Sequence, residues 1–359
     1  MNILVIGHSV AHYRQRKMWE WIAERGHKVN TVVMPQYRDE VYKPMKKGSF
    51  TQNISSIHAP QVGNNYWLFP DLHALVHTID PDFIFCIQEP WTFCAYHALM
   101  IAKMFQKPFG FFTWENIPKT WPMPWRYMEG EVIKGADLAV GGNRDACQIL
   151  LQKNAVNVVQ ELQTGLDIDL FFPEPKLKTE DKVGPRKLLF VGRLTEAKGI
   201  KVILQAFDKL PEGEYVLRFV GGRGELEPLI TQHPKFGKEV DLEPWMDHER
   251  LPRVYNWADV SLMPSIDTPM WIEQCGYALG ESVLCHTPAI TSTSKSIIEL
   301  WKDVPDIQFV TSGDIDTLVA MIENDDTYKP AKDGRQAVIE KYSVEKVGQH
   351  YMDMIGDLV

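Results

Sequence analysis

Arg193 and Lys198 stand five residues apart in Gly192-Arg193-Leu194-Thr195-Glu196-Ala197-Lys198-Gly199-Ile200, a stretch that leaves an apolar run and enters a helix-like one. Glycines at both edges allow close backbone approach, so a planar guanidinium and a point-charge ammonium could together grip a pyrophosphate. The plain alternative is a pair of solvated loop cations, and spacing alone leaves the two readings even. Further on, Glu273 and Glu281 are separated by seven residues, with Gly276 at a plausible helix start between them. First-turn N–H groups of Gly276, Tyr277, Ala278 and Leu279 would donate to phosphate oxygens, helped by the helix dipole. A carboxylate does not bind phosphate but can hold vicinal hydroxyls, so one glutamate on a sugar and one on a ribose is chemically sensible. Two surface glutamates account for most pairs at such spacing; the strand–loop–helix setting lifts this one.

These residues need a scaffold, and 359 residues suggest about two domains. Ile3-Leu4-Val5-Ile6, ended by Gly7, reads as a buried parallel strand. A helix over 12–25, strands at 29–34 and 83–87, a helix near 92–106, a strand at 109–113, a helix near 125–135 and a short strand at 137–140 follow. The pattern breaks at 172–186, with three prolines and mixed charge. It restarts with Leu188–Gly192, Val216–Gly221, Asp259–Pro264 and Pro288–Thr291. Strands alternating with helices predict an α/β chain of two Rossmann-like, doubly wound parallel-sheet domains facing across a cleft. Ligands in such sheets bind beyond the strands' carboxyl ends, so the loops after Gly7, Gly192, Gly221 and Pro264 are expected to line it.

Composition excludes several classes. Hydrophobic residues make up 45% and charged residues 24%, as in ordinary globular proteins. A net charge of −9 argues against nucleic-acid binding, although residues 1–161 carry +2 and the remainder −11. Five cysteines without a C-x-x-C fit a reducing compartment rather than a disulfide framework or a zinc site. The N-terminus has no signal-peptide pattern and no apolar run is long enough for a membrane span, so a cytoplasmic location is expected. Asp167-Ile-Asp169 and Asp314-Ile-Asp316 fit a D-x-D cation pattern, but a linker entry and a helix cap explain them better, and no metal is expected. His73 and His77, at i, i+4, lack a neighbouring glutamate and read as ordinary helix histidines. Gly221-Gly222-Arg223-Gly224 is only a fragment of a dinucleotide fingerprint.

Taken together, Val191–Gly199, Phe219–Leu226, Trp257–Ser265, Glu273-x7-Glu281 and Cys285–Ile290 resemble the nucleotide-binding domain of glycosyltransferase family 4, which has the GT-B fold. Thr164–Phe171 and Pro173 are similar to the segment that enters its linker. The resemblance covers about 137–320. It implies a retaining, metal-independent transfer of a sugar from a UDP- or GDP-linked donor to a hydroxyl of a glycan, lipid-linked or small-molecule acceptor, with no separate cofactor and no obligatory protein partner. It assigns Arg193 and Lys198 to the diphosphate, Glu273 to the transferred sugar, Glu281 to the ribose, the Gly276–Leu279 amides to phosphate, and Trp245 and Met246 to the base. Gly7 and Gly192 would let backbone approach the donor. Glu115 stands where the family often has a histidine at the sugar, and with Asn116 is expected to contact donor sugar or acceptor.

The implied division is an acceptor-side domain over 1–165, a linker over 166–186, a donor-binding domain over 187–341, and a terminal helix in 342–359 that returns to the first domain with Val344, Val347, Tyr351, Met354 and Ile355 inward. Arg14, Arg16, Lys17, Lys43, Lys46 and Lys47, with the aromatics of 114–127, admit peripheral contact with an anionic membrane at the inner face; ordinary packing is the favoured reading. A nucleotide-sugar epimerase of the same bilobal fold and a two-lobed, non-catalytic solute-binding protein are the competing functions.

Overall fold

The computed structural model describes residues 1–37, 40–55, 68–174, 184–222 and 224–359. They form two compact units, Met1–Gly165 with Val344–Val359, and Leu166–Ser343. Arg223 and residues 175–183 of the proline-bearing stretch lie outside the described residues.

In the first unit the sheet strands are β1 (Asn2–Ile6), β2 (Lys28–Val33), β3 (Met45–Lys47), β4 (Phe50–Ile54), β5 (Phe83–Cys86), β6 (Phe109–Thr113), β7 (Leu138–Gly141) and β8 (Val158–Gln160). Their order is β8-β7-β6-β5-β1-β2-β4-β3, parallel throughout except for the antiparallel edge pair β3–β4. Helices α1 (Tyr13–Glu24), α2 (Leu72–Ile79), α3 (Phe93–Met104), α4 (Trp125–Gly135) and α5 (Arg144–Gln152) connect them. Thr92 and Asn143 start α3 and α5 by accepting the N–H groups of Ala95 and Ala146, at 3.2 and 2.9 Å.

The second unit contains β9 (Arg186–Arg193), β10 (Tyr215–Gly222), β11 (Val240–Glu243), β12 (Val260–Met263), β13 (Ala289–Ser292) and β14 (Ile307–Val310). Around them lie α6 (Ile200–Lys209), α7 (Glu227–Thr231), α8 (Leu251–Trp257), α9 (Tyr277–Leu284), α10 (Lys295–Trp301), α11 (Ile315–Glu323) and α12 (Gly334–Tyr342). The order β11-β10-β9-β12-β13-β14 is all parallel and reverses direction between β9 and β12, the doubly wound arrangement. Central strands are covered on both faces, which is why Ile3–Ile6 and Leu188–Phe190 are fully buried and read as unbroken apolar runs.

Residues 166–174, expected to begin a linker, pack instead as part of the second unit. The Leu166 N–H donates to the Tyr342 carbonyl at 2.7 Å, the Arg335 guanidinium to the Ile168 carbonyl at 3.2 Å, and the Asn256 amide to the Phe172 carbonyl at 2.9 Å. The edge strand β3 falls in the basic segment of Lys43, Lys46 and Lys47, and its neighbour β4 lies where the sequence marks no element. Lys47 on β3 faces α1, pairing with Glu20 at 3.0 Å and Glu24 at 3.2 Å, and Arg16 also pairs with Glu20 at 2.7 Å. No helix among the described residues is long and apolar enough to cross a membrane.

After α12 the chain re-enters the first unit as the C-terminal helix Val344–Gly356. Val347, Tyr351 and Ile355 are fully buried, and Tyr351 closes an aromatic cluster with Trp19 and Phe85, ring centroids 5.6 and 5.5 Å away. Gly348 lies so close to Trp21 that a Cβ would sit 2.8 Å from its ring. Replacing Tyr351 with Ala should therefore lower the stability of the first unit by roughly 3–5 kcal/mol, read from urea denaturation. An unchanged midpoint would show that this helix contributes little to the core.

Candidate functional site

The reversal of strand order brings the loops after β9 and β12 together, and Arg193, Lys198, Glu273 and Gly276 lie on them or at their ends. Gly199 ends the first loop at φ +77°, and a Cβ there would fall 2.0 Å from the Pro264 carbonyl oxygen. The Ile266 N–H donates across to the Ala197 carbonyl at 2.8 Å. This close seam sets Lys198 Nζ 2.5 Å from Glu273 Oε2, and the Ser265 hydroxyl donates to the same oxygen at 2.9 Å. The ammonium also lies 5.1 Å from the Trp271 ring centroid, and a turn in which the Trp271 N–H donates to Thr268 Oγ1 at 3.0 Å holds that ring. Arg193 ends β9 with its side chain exposed. Sequence reasoning paired Lys198 with a phosphate and Glu273 with a sugar; the fold makes them each other's partner.

Gly276 starts α9 as expected, at φ +68°, where a Cβ would meet Met263 and Ile297 at 2.8 and 2.9 Å. The Trp301 indole N–H donates to the Cys275 carbonyl at 2.5 Å and fixes the approach to that helix start. Glu281, on the next turn, is only 2% exposed. Its two oxygens meet His248 Nε2 and the Tyr255 hydroxyl, each at 3.0 Å. Trp245, on the segment after β11, is 55% exposed, and Met246 beside it is half-buried. Sequence reasoning missed Ser265, Trp271, His248 and Tyr255 as site residues. The strand–glycine pattern around Pro264 could have drawn attention to Ser265, but nothing in the sequence links His248 or Tyr255 to Glu281.

The first carboxylate of each D-x-D pair caps local backbone. Asp167 Oδ1 accepts the N–H groups of Asp169 and Leu170 at 3.1 and 3.2 Å, and Asp314 Oδ1 accepts that of Thr317 at 3.0 Å to start α11. His73 and His77 pack their rings against Phe105, at 5.0 and 6.5 Å.

In the first unit, Gly7 follows β1 so close to Ile87 that a Cβ would lie 2.8 Å from its carbonyl oxygen. Beyond β5, the carboxylate of Glu89 accepts from the Thr113 hydroxyl and, at 3.0 Å, from the Trp114 N–H, fastening the turn after β6. Thr113 Oγ1 in turn accepts the Glu115 N–H at 3.0 Å. Glu115, expected to meet a sugar, is 6% exposed and lines a cavity with room for about one water molecule, together with Glu129 and Lys153. Asn116 is 7% exposed. Lys153 pairs with Glu129 at 2.6 Å, whereas Lys119 stays 3.7 Å from Glu115 Oε1, which receives no hydrogen bond.

Burial, then the neighbouring Glu89 charge, pushes the Glu115 carboxyl up to about 7. The unfolded chain releases this proton near the ordinary 4.5 while the folded chain keeps it, so the contribution of Glu115 to stability falls as pH rises from about 4.5 to about 7. Glu115→Gln should remove that decline, giving a smaller loss of unfolding free energy than wild type between about pH 5 and pH 8 in urea titrations. Parallel profiles for the two proteins would contradict this environment.

Residues 173–324 match the family described as Glycosyl transferases group 1. An uncharacterized glycosyltransferase of Methanocaldococcus jannaschii is 30% identical over 144 residues, 38% of this chain, which thus spans about a third (35%) of that relative's length. Among solved structures, sucrose-phosphate synthase from Thermosynechococcus elongatus superimposes with a TM-score of 0.76 at 16% identity, covering 100% of this chain and 99% of that one. Anabaena HepE in complex with UDP-glucose gives 0.74 at 14% identity, covering 99% and 100%. With a doubly wound parallel sheet in each unit and full-length similarity to these structures, the chain has the GT-B fold, and its residues 173–324 match the glycosyl transferases group 1 family.

Proposed function

We propose that the chain is a retaining glycosyltransferase that moves a sugar from a nucleoside diphosphate donor to an acceptor hydroxyl. The observation that carries this reading is the juxtaposition of Lys198, Glu273 and the N-terminus of α9 at the point where the second sheet reverses its strand order. The diphosphate is met by Arg193, Lys198 and the amides of Gly276 to Leu279, Glu273 takes hydroxyls of the transferred sugar, and Glu281 takes those of the ribose. Trp245, exposed beside that region, offers an aromatic face to the base.

Chemistry follows from charge. As the glycosidic bond breaks, negative charge grows on the departing diphosphate, and a guanidinium, an ammonium and a helix end already in place stabilise it without a metal. The phosphate replaces Glu273 as a partner of Lys198, which releases the carboxylate toward the sugar. Retention is what the family resemblance implies, and the UDP-glucose bound by Anabaena HepE makes a UDP-sugar the favoured donor. The acceptor is a hydroxyl of a glycan, lipid-linked or small molecule.

A thermal-shift panel of UDP-, GDP- and ADP-sugars tests the reading. A donor at 100 times its Kd stabilises the folded protein by about 2.7 kcal/mol. Arg193→Ala and Lys198→Ala should each abolish most of that shift, and each should lower kcat/KM by about 10²–10³ once an acceptor is found. Undiminished shifts in both variants would remove the diphosphate site from these residues.

A further inference from the structure

We propose that His248 and Tyr255 are positioning residues that hold the Glu281 carboxylate for a ribose 2′,3′-diol, and so make the site selective for ribonucleotides over 2′-deoxyribonucleotides. The inference rests on the donor site described under Proposed function and adds to it two residues and a selectivity.

Glu281 is 2% exposed, and a carboxylate so buried needs donors to remain ionised. It has them on both oxygens: His248 Nε2 on Oε1 and the Tyr255 hydroxyl on Oε2, each at 3.0 Å. Where the carboxylate is ionised it only accepts, and the first contact is then a donation from His248 Nε2. The two donors come from different elements, His248 from the turn preceding α8 and Tyr255 from within it, so they restrain the carboxylate from two directions. A carboxylate accepts about four hydrogen bonds, and two held in this way fix the plane in which a diol must approach.

The donors are themselves held from behind. Phe171, fully buried, sets its ring edge-on to both, with centroids 5.1 Å from His248 and 5.9 Å from Tyr255. The segment carrying Phe171 is tied to α8 by Asn256, which donates to the Phe172 carbonyl at 2.9 Å and accepts the Glu174 N–H at 2.8 Å. Tyr255 is anchored through its carbonyl, which accepts the Thr287 hydroxyl at 2.7 Å. His248 keeps 16% of its side chain exposed, on a turn three residues beyond Trp245, so the restrained carboxylate lies on the side of the unit where the nucleoside is proposed to bind.

Binding of UDP and 2′-deoxy-UDP to the full chain, measured by calorimetry, tests the proposal. Wild type should prefer UDP by about 10-fold or more, the worth of a hydrogen bond to a charged group. Tyr255→Phe, which removes one oxygen, and His248→Ala should each shrink that ratio several-fold, chiefly by weakening UDP, and His248→Gln, which restores an N–H donor, should recover it. A merely structural role would weaken both nucleotides equally and leave the ratio unchanged, which would overturn the proposal. Wild type binding UDP and 2′-deoxy-UDP equally would overturn it too, while leaving the donor site intact. Failure to bind UDP, GDP or ADP at all would instead sink the donor site itself, and this inference with it.

Discussion

The contact between Lys198 and Glu273 depends on one topological fact, that the second sheet reverses its order between β9 and β12. Parallel strands point their carboxyl ends the same way, and at a reversal the outgoing loops are not covered by a crossing helix. Two loops 75 residues apart in sequence therefore meet, and Gly199 lets them meet at van der Waals distance from Pro264. With side-chain exposures of 16% and 8%, neither charge is well solvated, and removing one would strand the other. The pair is consequently a structural clasp between the two loops.

Buried carboxylates in the two units illustrate opposite solutions. Glu281 has a protein donor on each oxygen and is held rigidly. Glu115 has an oxygen without a hydrogen bond, a like charge at Glu89 and a lysine no nearer than 3.7 Å, so it retains its proton close to neutrality. Similar burial produces a fixed acceptor in one case and a group poised between states in the other, and the difference lies in donors supplied by other elements. Glu89 spends its own oxygens on Thr113 and Trp114, which shapes the turn that carries Glu115 rather than neutralising it.

Much of this was legible in the chain itself. Buried parallel strands carry continuous apolar runs, so Ile3–Ile6 and Leu188–Val191 announced two such sheets, and the glycine-bounded loop with Arg193 and Lys198 and the pair Glu273 and Glu281 marked the candidate site. Strands at and next to a sheet edge are half-solvated and lack that signal, which is why β3 reads in the sequence only as lysines and β4 is not marked at all. Local pattern determined the element types and the chemical repertoire, because period and composition act over a few residues. Tertiary structure alone decided that Lys198 faces Glu273, that Glu115 turns into a cavity with Glu129 and Lys153, and that His248 and Tyr255, 33 and 26 residues before Glu281, hold its carboxylate. Those partners are chosen by strand order and by how helices seat on the sheet, and side-chain contacts at such separations leave no periodic trace in the sequence.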